Sequence, residues 1–586
     1  VCLVDSDVFG IGAIQSLIMN FIHYWWPELL QKKFFYYFRT PIIKLTLKNG
    51  VKYCYSLPEY FKFLATNPSV KNTKYIKGLG TIEKSLGQEM AKNIPEYLIP
   101  FQPLQESEND LIDQTFNKDR SDDRKVWINA TKTLEYDAEE EQSNRLANGL
   151  NITEYINKDV AEFSRYNLEI SIPSIMDGFK PSQRKIMFTA FKKNVTNPEG
   201  IKVAQLGPMV AQLTAYKHGE NNLMDTIINL AQDFTGSNNI NFLKPIGQFG
   251  SRYNNAAASP RYIYTALNEV TRKIFRPEDD AILKYIEDEG MSIEPEYYIP
   301  VIPTILVNGA LGLGTGWSTK IPMWNVHDII QYMKNVILHK PLNKINYYYR
   351  DFKGEIIPMK NGFISQGVYS VSGNKIEITE IPLETSGESY KEFLHSLVLS
   401  GRLQDVVEKN TEVISFVVTV LDNKILEDPV KELKLQKTIL TSNMHLFDKN
   451  GLIKKYNNVY EIINEWMTSR FPWYAIRKRH LISELSGQLD VVSSKYRFLQ
   501  MIMKDELVVY RRKRDDVIAD LQKNGFKMVS DSYDYLLKMP VTSFTEEMLE
   551  KLQKEIDDVS GRLEDVKKTS VEQMWLNDLD DVEKVL

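Results

Sequence analysis

The sequence holds only two cysteines in 586 residues, Cys2 and Cys54, and has no Cys-x-x-Cys or His-rich spacing. This excludes a disulfide framework and a structural zinc site, and points to a reducing, intracellular compartment. Asn-x-Ser/Thr matches such as Asn151-Ile152-Thr153 are then chance occurrences. No apolar run approaches the roughly 18 to 20 residues of a membrane-spanning helix, so no membrane partner is expected. A surplus of positive charge is also missing: 72 Lys and Arg against 77 Asp and Glu leave a formal net charge of −5. Any contact with nucleic acid must therefore be local.

What is present is ordinary globular material, 43% hydrophobic and 25% charged, at a length that exceeds one hydrophobic core. Acid gathers at 105–113, 137–141 and in the C-terminal block, whereas 179–193 carries Lys180, Arg184, Lys185, Lys192 and Lys193 with no acidic residue. A basic groove on an acidic body is the implied layout. Taken alone, the same run also reads as a solvated helix face.

Four blocks follow one another. Residues 1–138 mix β-rich runs (1–4, 42–47, 51–55) with helical ones (13–24, 81–93), as an α/β domain does. The apolar opening Val1-Cys2-Leu3-Val4 reads as a buried strand of a parallel sheet, so the chain is expected to be cut from a longer polypeptide. Residues 139–151 are polar and acidic and read as a mobile linker. Residues 152–300 are mainly helical, and 301–465 alternate β-rich runs such as 377–381 and 413–420 with turns. In 466–586, apolar stripes at Leu481, Leu485, Leu489, Val492, Tyr496 and Leu499 and at Leu552, Ile556, Val559, Leu563 and Val566 predict an antiparallel coiled-coil arm with a small tip. Ser543 with Glu546 offers a capping box for its second helix.

The most informative run is Ser259-Pro260-Arg261-Tyr262. A phenol, with an ordinary pKa of about 10, is a weak nucleophile and needs a neighbouring cation or base. Arg261 is placed to neutralise charge that develops on phosphorus during attack by Tyr262. On its own an Arg-Tyr pair is a common surface dipeptide. It follows Lys244-Pro245-Ile246-Gly247-Gln248-Phe249-Gly250-Ser251-Arg252, which combines exposed backbone with Gln248 and Arg252.

Around it stand, in order, Ser171-Ile172-Pro173-Ser174, Gly178-Phe179-Lys180-Pro181-Ser182-Gln183-Arg184-Lys185, Lys202-Val203-Ala204-Gln205-Leu206, His218-Gly219-Glu220, Thr226-Ile227-Ile228-Asn229-Leu230-Ala231-Gln232 and Asn308-Gly309-Ala310. These ordered phrases resemble the DNA-cleavage region of eukaryotic-type DNA topoisomerase II, a type IIA enzyme. The resemblance runs the length of the chain and implies a multidomain α/β and α+β fold: part of a TOPRIM domain (1–138), a linker (139–151), a winged-helix domain (152–300), a β-rich tower (301–465), and a coiled-coil arm ending in a dimer gate (466–586).

The resemblance also implies roles. Tyr262 would join the 5′ end of a broken DNA strand, with Arg261 assisting. Lys77, Gly78, Arg124, Lys125, Lys180, Arg184, Lys185, Tyr216, Lys217, His218, Gln248 and Arg252 would contact DNA; a second family histidine is replaced by Lys217. Leu313, in Gly309-Ala310-Leu311-Gly312-Leu313-Gly314-Thr315-Gly316, would be a wedge that bends the duplex. A nucleotide-binding loop is the other reading of that run, but no Gly-Lys-Ser/Thr ending follows. Asp5 and Asp7 would bind Mg²⁺, two ions per complete site, together with a glutamate expected upstream of Val1. The third acid of the family pattern is Phe9 here, and the loop is one residue longer before Asn20-Phe21-Ile22-His23.

The partners implied are double-stranded DNA and a second copy of the chain, with ATP used only by a domain outside this sequence. A catalytically silent DNA-bending scaffold, a nuclease and a bacterial gyrase are the alternatives. Gyrase divides the acidic and tyrosine parts between two polypeptides, unlike this chain. The irregular acidic loop and the short 252–262 stretch suggest a divergent member, like that of a large DNA virus such as African swine fever virus. The expected location is the nucleus for a cellular enzyme, or a host cytoplasmic replication site for a viral one.

Overall fold

Shared hydrophobic cores, more than chain order, divide this molecule. The computed structural model describes all residues except 49, 68–71, 77, 132–144, 146, 197–198, 289 and 410–412. Near the N-terminus, Ile43–Leu47 lies between Gly50–Cys54 and Asn72–Tyr75 in an antiparallel sheet, with Ile43 and Leu45 buried on one face. The opening run pairs parallel to Tyr36–Phe38 through Cys2, as its composition suggests. It is buried on one side only: Cys2 is enclosed, while Val1 and Leu3 are exposed.

The core holding Cys2, Met19, Tyr37, Phe101 and Ile128 continues without a break into Leu150, Tyr155, Ile156 and Leu168. The expected linker therefore needs correction at its described end: Leu150 is fully buried and donates its N–H to the Pro100 carbonyl at 2.8 Å. Residues 132–144 and 146 of that stretch lie outside the described residues. Ile152–Tyr155, Ile156–Val160 and Ala161–Ser171 follow end to end as a helical rod.

The largest core gathers three helices, Pro181–Lys192, Val203–Leu213 and Glu220–Ala231, and a small antiparallel sheet in which Tyr264–Leu267 is flanked by Ile201–Lys202 and Leu243–Ile246. The same core includes Ile302, Leu306, Ile329 and Met333, so no break occurs at 300/301. A separate core lies beneath the sheet of Val368–Ser372, Lys375–Glu380, Phe416–Val420 and Leu403–Glu408. Strict alternation along Lys375–Glu380 places Ile376 and Ile378 inward and Lys375 and Glu377 outward.

The arm begins earlier than its stripe suggests, as a 45-residue helix Val459–Met503. Its Leu485 packs with Val559 and Leu563 of Glu546–Lys568, and further along, Val492 and Leu499 pack with Leu552, so the helices are antiparallel. The expected Ser543 cap is replaced by Thr545, whose side chain accepts the Met548 N–H; Ser543 ends a preceding tight turn. Val571–Glu583 then returns to the largest core through Trp575, Leu579 and Val582.

Candidate functional site

One face of the helical rod positions the acidic loop. Tyr155, Asp159, Phe163 and Tyr166 recur at spacings of four, four and three, so they share a helix face. The Tyr155 hydroxyl donates to the Ile11 carbonyl at 2.6 Å, and a Cβ at Gly12 would lie 2.8 Å from the Asp159 carbonyl. Val8–Ile14 is π-helical and runs into Gln15–Trp25. A π turn holds more residues than an α turn, so it is a form in which a loop one residue longer, as the resemblance implies, could be accommodated. Asp7 caps that segment by accepting the Gly10 N–H at 2.6 Å.

Asp5 accepts the Leu79 N–H at 2.7 Å, and a Cβ at Gly78 would stand 2.8 Å from both Asp5 carboxylate oxygens. Gly78 thus serves the close approach of backbone to Asp5. Lys77 lies outside the described residues. Among the described residues no cluster of three or more acidic, His or Cys side chains is arranged to hold a metal. Two carboxylates, each with one oxygen spent on a backbone N–H, still suit Mg²⁺, which takes one or two carboxylates and fills its octahedron with water and phosphate oxygens.

Phe9 is the ring that joins this loop to His218. Its centroid lies 5.1 Å from His218, 5.5 Å from Tyr166 and 5.6 Å from Phe163, each edge to face. The Tyr166 hydroxyl is 2.5 Å from His218 Nε2. Burial lowers the His218 pKa, Asp7 opposes that, and Lys185 and Lys217 reinforce it. Burial, with Glu169 next, pushes Tyr166 up to about 12. Tyr216 stacks edge-on to His218 at 5.2 Å, while Lys217 turns to Asp288 at 3.2 Å and to the Tyr75 ring.

Tyr262 is 67% exposed, and the Arg261 guanidinium sits 4.9 Å from its ring centroid. Their turn is fastened by the Tyr262 N–H to the Ser259 carbonyl at 2.9 Å and by the Ala204 N–H, in the first turn of Val203–Leu213, to the Pro260 carbonyl at 3.1 Å. Gln248 is exposed and accepts the Gly250 N–H at 2.9 Å.

Several cations expected to face phosphate are committed elsewhere. Arg184 is buried, with Nε and one terminal nitrogen bound to Asp177 at 2.7 and 3.0 Å. This corrects its assignment: it holds the turn before its own helix. Lys185 bonds Glu294 at 2.6 Å and the Thr214 carbonyl at 2.9 Å. Arg252 donates to the carbonyls of Thr385, Ile381 and Pro382 at 2.7 to 3.0 Å, stapling its loop to the segment that follows the strand Lys375–Glu380. Arg124 donates to the Gln114 and Asn117 carbonyls, and Lys125 pairs with Asp122 at 2.7 Å. Lys180 reaches the Leu311 carbonyl at 2.8 Å.

Leu313 is 76% exposed at the end of Ala310–Leu313, paired with Ser318 across the hairpin. Gly312 and Gly314 press this hairpin on Ser171 and Leu168 of the rod, and Asn167 accepts the Thr315 N–H at 2.9 Å. Gly316 packs beside Arg124 and Lys125, so these two predicted residues meet the Ala310–Ile321 hairpin. Ser171 entered the sequence reading only within the phrase Ser171-Ile172-Pro173-Ser174, and Tyr166 and Asn167 escaped it. Their only signal was a helical spacing that looked like ordinary core.

Comparison with known proteins agrees with this geometry. The family model for the A-type subunit of DNA gyrase/topoisomerase IV matches residues 171–580, and that of the C-terminal associated domain of TOPRIM matches 38–168, across the packed 150 region. The chain is 37% identical to DNA topoisomerase 2 of Plasmodium falciparum, over 100% of this chain and 45% of that protein. Identity to DNA topoisomerase 2 of Arabidopsis thaliana is 37%, over 100% and 43%, and to that of Saccharomyces cerevisiae 36%, over 98% and 44%. The chain thus spans less than half the length of these curated relatives. The crystal structure of the Plasmodium falciparum topoisomerase II DNA-binding, cleavage and re-ligation domain matches with a TM-score of 0.81 at 37% identity, covering 100% of this chain and 84% of that one. With its family model covering most of the chain and that structure matched throughout, the chain belongs to the type IIA DNA topoisomerase family.

Proposed function

We propose that this chain is the DNA-binding and cleavage core of a homodimeric type IIA topoisomerase, with Tyr262 as nucleophile. The observation that carries this reading is the exposed Tyr262 ring under the Arg261 guanidinium, on a turn fixed by backbone hydrogen bonds. The phenolic oxygen bonds to a DNA phosphorus and the bond from phosphorus to the 3′ oxygen breaks. The phenol's proton is lost and the 3′ oxygen gains one. Attack by that hydroxyl on the phosphotyrosine restores the strand, so bond energy is kept. Arg261 neutralises the charge that builds up on the phosphoryl oxygens.

Asp5 and Asp7 would hold Mg²⁺, which supplies Lewis-acid stabilisation of the phosphoryl oxygens. Residues 1–138 serve as a TOPRIM part, 152–300 as the winged-helix part, 301–465 as a tower beside bent DNA, and 466–586 as arm and dimer gate. ATP-driven strand passage belongs to the whole protein. The relatives named above come from cellular eukaryotes, which favours a nuclear setting and lends nothing to a viral source. The test is capture of protein joined to DNA 5′ ends after rapid denaturation in Mg²⁺. Duplex bound and bent without any adduct would instead support a silent scaffold.

A further inference from the structure

We infer that Phe9 and Tyr166 are positioning residues that fix the acidic loop and His218 in one register, doing by aromatic packing what a third loop carboxylate would do by charge. The inference rests on the cleavage reading above.

Three observations carry it. Phe9, two residues beyond Asp7, presents an edge-to-face ring to Phe163, Tyr166 and His218 at once, with interplanar angles of 69°, 87° and 77°. Such pairs contribute beyond their buried area because ring edges and faces attract electrostatically. Tyr166 then ties the cluster to a defined atom, since its hydroxyl is 2.5 Å from His218 Nε2. That bond engages Nε2 and restricts the orientation of the His218 ring. Finally, Phe163 and Tyr166 stand on the same rod face that holds Ile11 and Gly12, so loop and histidine are referred to one rigid element. An acid at position 9 would stand among the Phe163, Tyr166 and His218 rings, on the same loop as Asp7.

The experiment uses the whole polypeptide bound to duplex DNA. Tyr166→Phe keeps the ring and removes the tie. It is expected to lower Mg²⁺-dependent cleavage about tenfold, with DNA affinity and melting temperature unchanged, and to shift the His218 ¹⁵N ring signals. Phe9→Leu should cleave better than Phe9→Asp, and Phe9→Asp should need more Mg²⁺ for half-maximal cleavage. Wild-type cleavage by Tyr166→Phe with unshifted His218 ¹⁵N ring signals would overturn the inference, as would Phe9→Asp cleaving at least as well as wild type. Failure of the wild-type protein itself to form adducts would instead remove the cleavage reading, while the ¹⁵N signals still report whether Tyr166 holds His218.

Discussion

Gly312 lies directly on the carbonyl of Ser171, so that a Cβ at this position would overlap the Ser171 oxygen. Seating Gly312 inward turns its neighbours Leu311 and Leu313 outward, because alternate residues of a strand face opposite ways. Gly312→Ala should therefore displace the hairpin and reduce DNA bending although Leu313 is intact. Leu313→Ala should reduce bending directly, since a wedge offsets an unstacking cost of a few kcal/mol whereas phosphate contacts dominate affinity. Energy transfer between labelled DNA ends measures both. Unchanged bending in Gly312→Ala would mean that the seat on Ser171 does not present Leu313.

Tyr262 and Tyr264 provide an internal control. Tyr264 begins the strand Tyr264–Leu267, opposite Lys202 and Ile246, whereas Tyr262 stands on the exposed turn. Tyr262→Phe removes one oxygen and should abolish the covalent adduct while duplex binding persists. Tyr264→Phe should leave the adduct in place. The reverse pattern, read on denaturing gels, would reassign the nucleophile.

In the proposed site Asp7 would have two separable tasks, because its carboxylate also caps Val8–Ile14. Asparagine caps a helix as well as aspartate does, whereas alanine loses about 0.5 to 2 kcal/mol. Asp7→Asn should keep the melting temperature and raise the Mg²⁺ needed for cleavage, and Asp7→Ala should lower both stability and cleavage. Asp5→Asn should impair cleavage more than Asp7→Asn if Asp5 is the acid that would serve both ions of a two-metal site. Wild-type Mg²⁺ dependence in Asp5→Asn and Asp7→Asn would remove both acids from the site.

The sequence made the strands near 43–54, the coiled-coil stripes and the Arg261-Tyr262 pair legible because each depends on neighbours in the chain. The fate of the cations did not. Arg184 finds Asp177 only when a turn closes, and Arg252 meets Ile381, Pro382 and Thr385, more than a hundred residues away. A lysine or arginine in a string cannot announce whether phosphate or a distant carbonyl will satisfy it. Phe9 looked like a lost acid for the same reason: Phe163 comes to it from the rod, and His218 comes from a later segment tied to the rod through Tyr166. The chain boundaries at 138/152 and 300/301 followed composition, whereas the cores follow packing across them.

His445 gives a pH-dependent contribution. Its Nδ1 lies 2.9 Å from the Ser318 carbonyl in the hairpin, and burial lowers its pKa although that carbonyl opposes the shift. The unfolded chain therefore takes up the proton first as pH falls. Stability from the neutral ring is complete above the ordinary histidine range near about 6.5 and declines below it. Melting temperature should drop between about pH 7.5 and about pH 5.5, and His445→Asn, which keeps a donor without the titration, should drop less. An equal drop in both proteins would place the pH sensitivity elsewhere.

Asp279 joins the arm to the main body. Its carboxylate receives Arg470 at 2.9 Å and Arg477 Nε at 2.7 Å, while Arg477 also reaches Asp578 at 2.5 Å in the C-terminal helix. Arg470, Arg477, Asp279 and Asp578 are all buried. Desolvating such charges is costly, and removing one partner strands the others, typically at about 3 to 5 kcal/mol. Asp279→Asn should therefore lower the unfolding transition by calorimetry, and Arg470→Met in the same background should recover part of the loss by removing a stranded charge. Because Arg477 bridges to Asp578, the variant should also loosen the return of Val571–Glu583, read as faster amide exchange around Trp575. A small loss in Asp279→Asn, or a double variant less stable than the single one, would show that packing of Trp466 and Trp575, and not this charge cluster, fixes the arm.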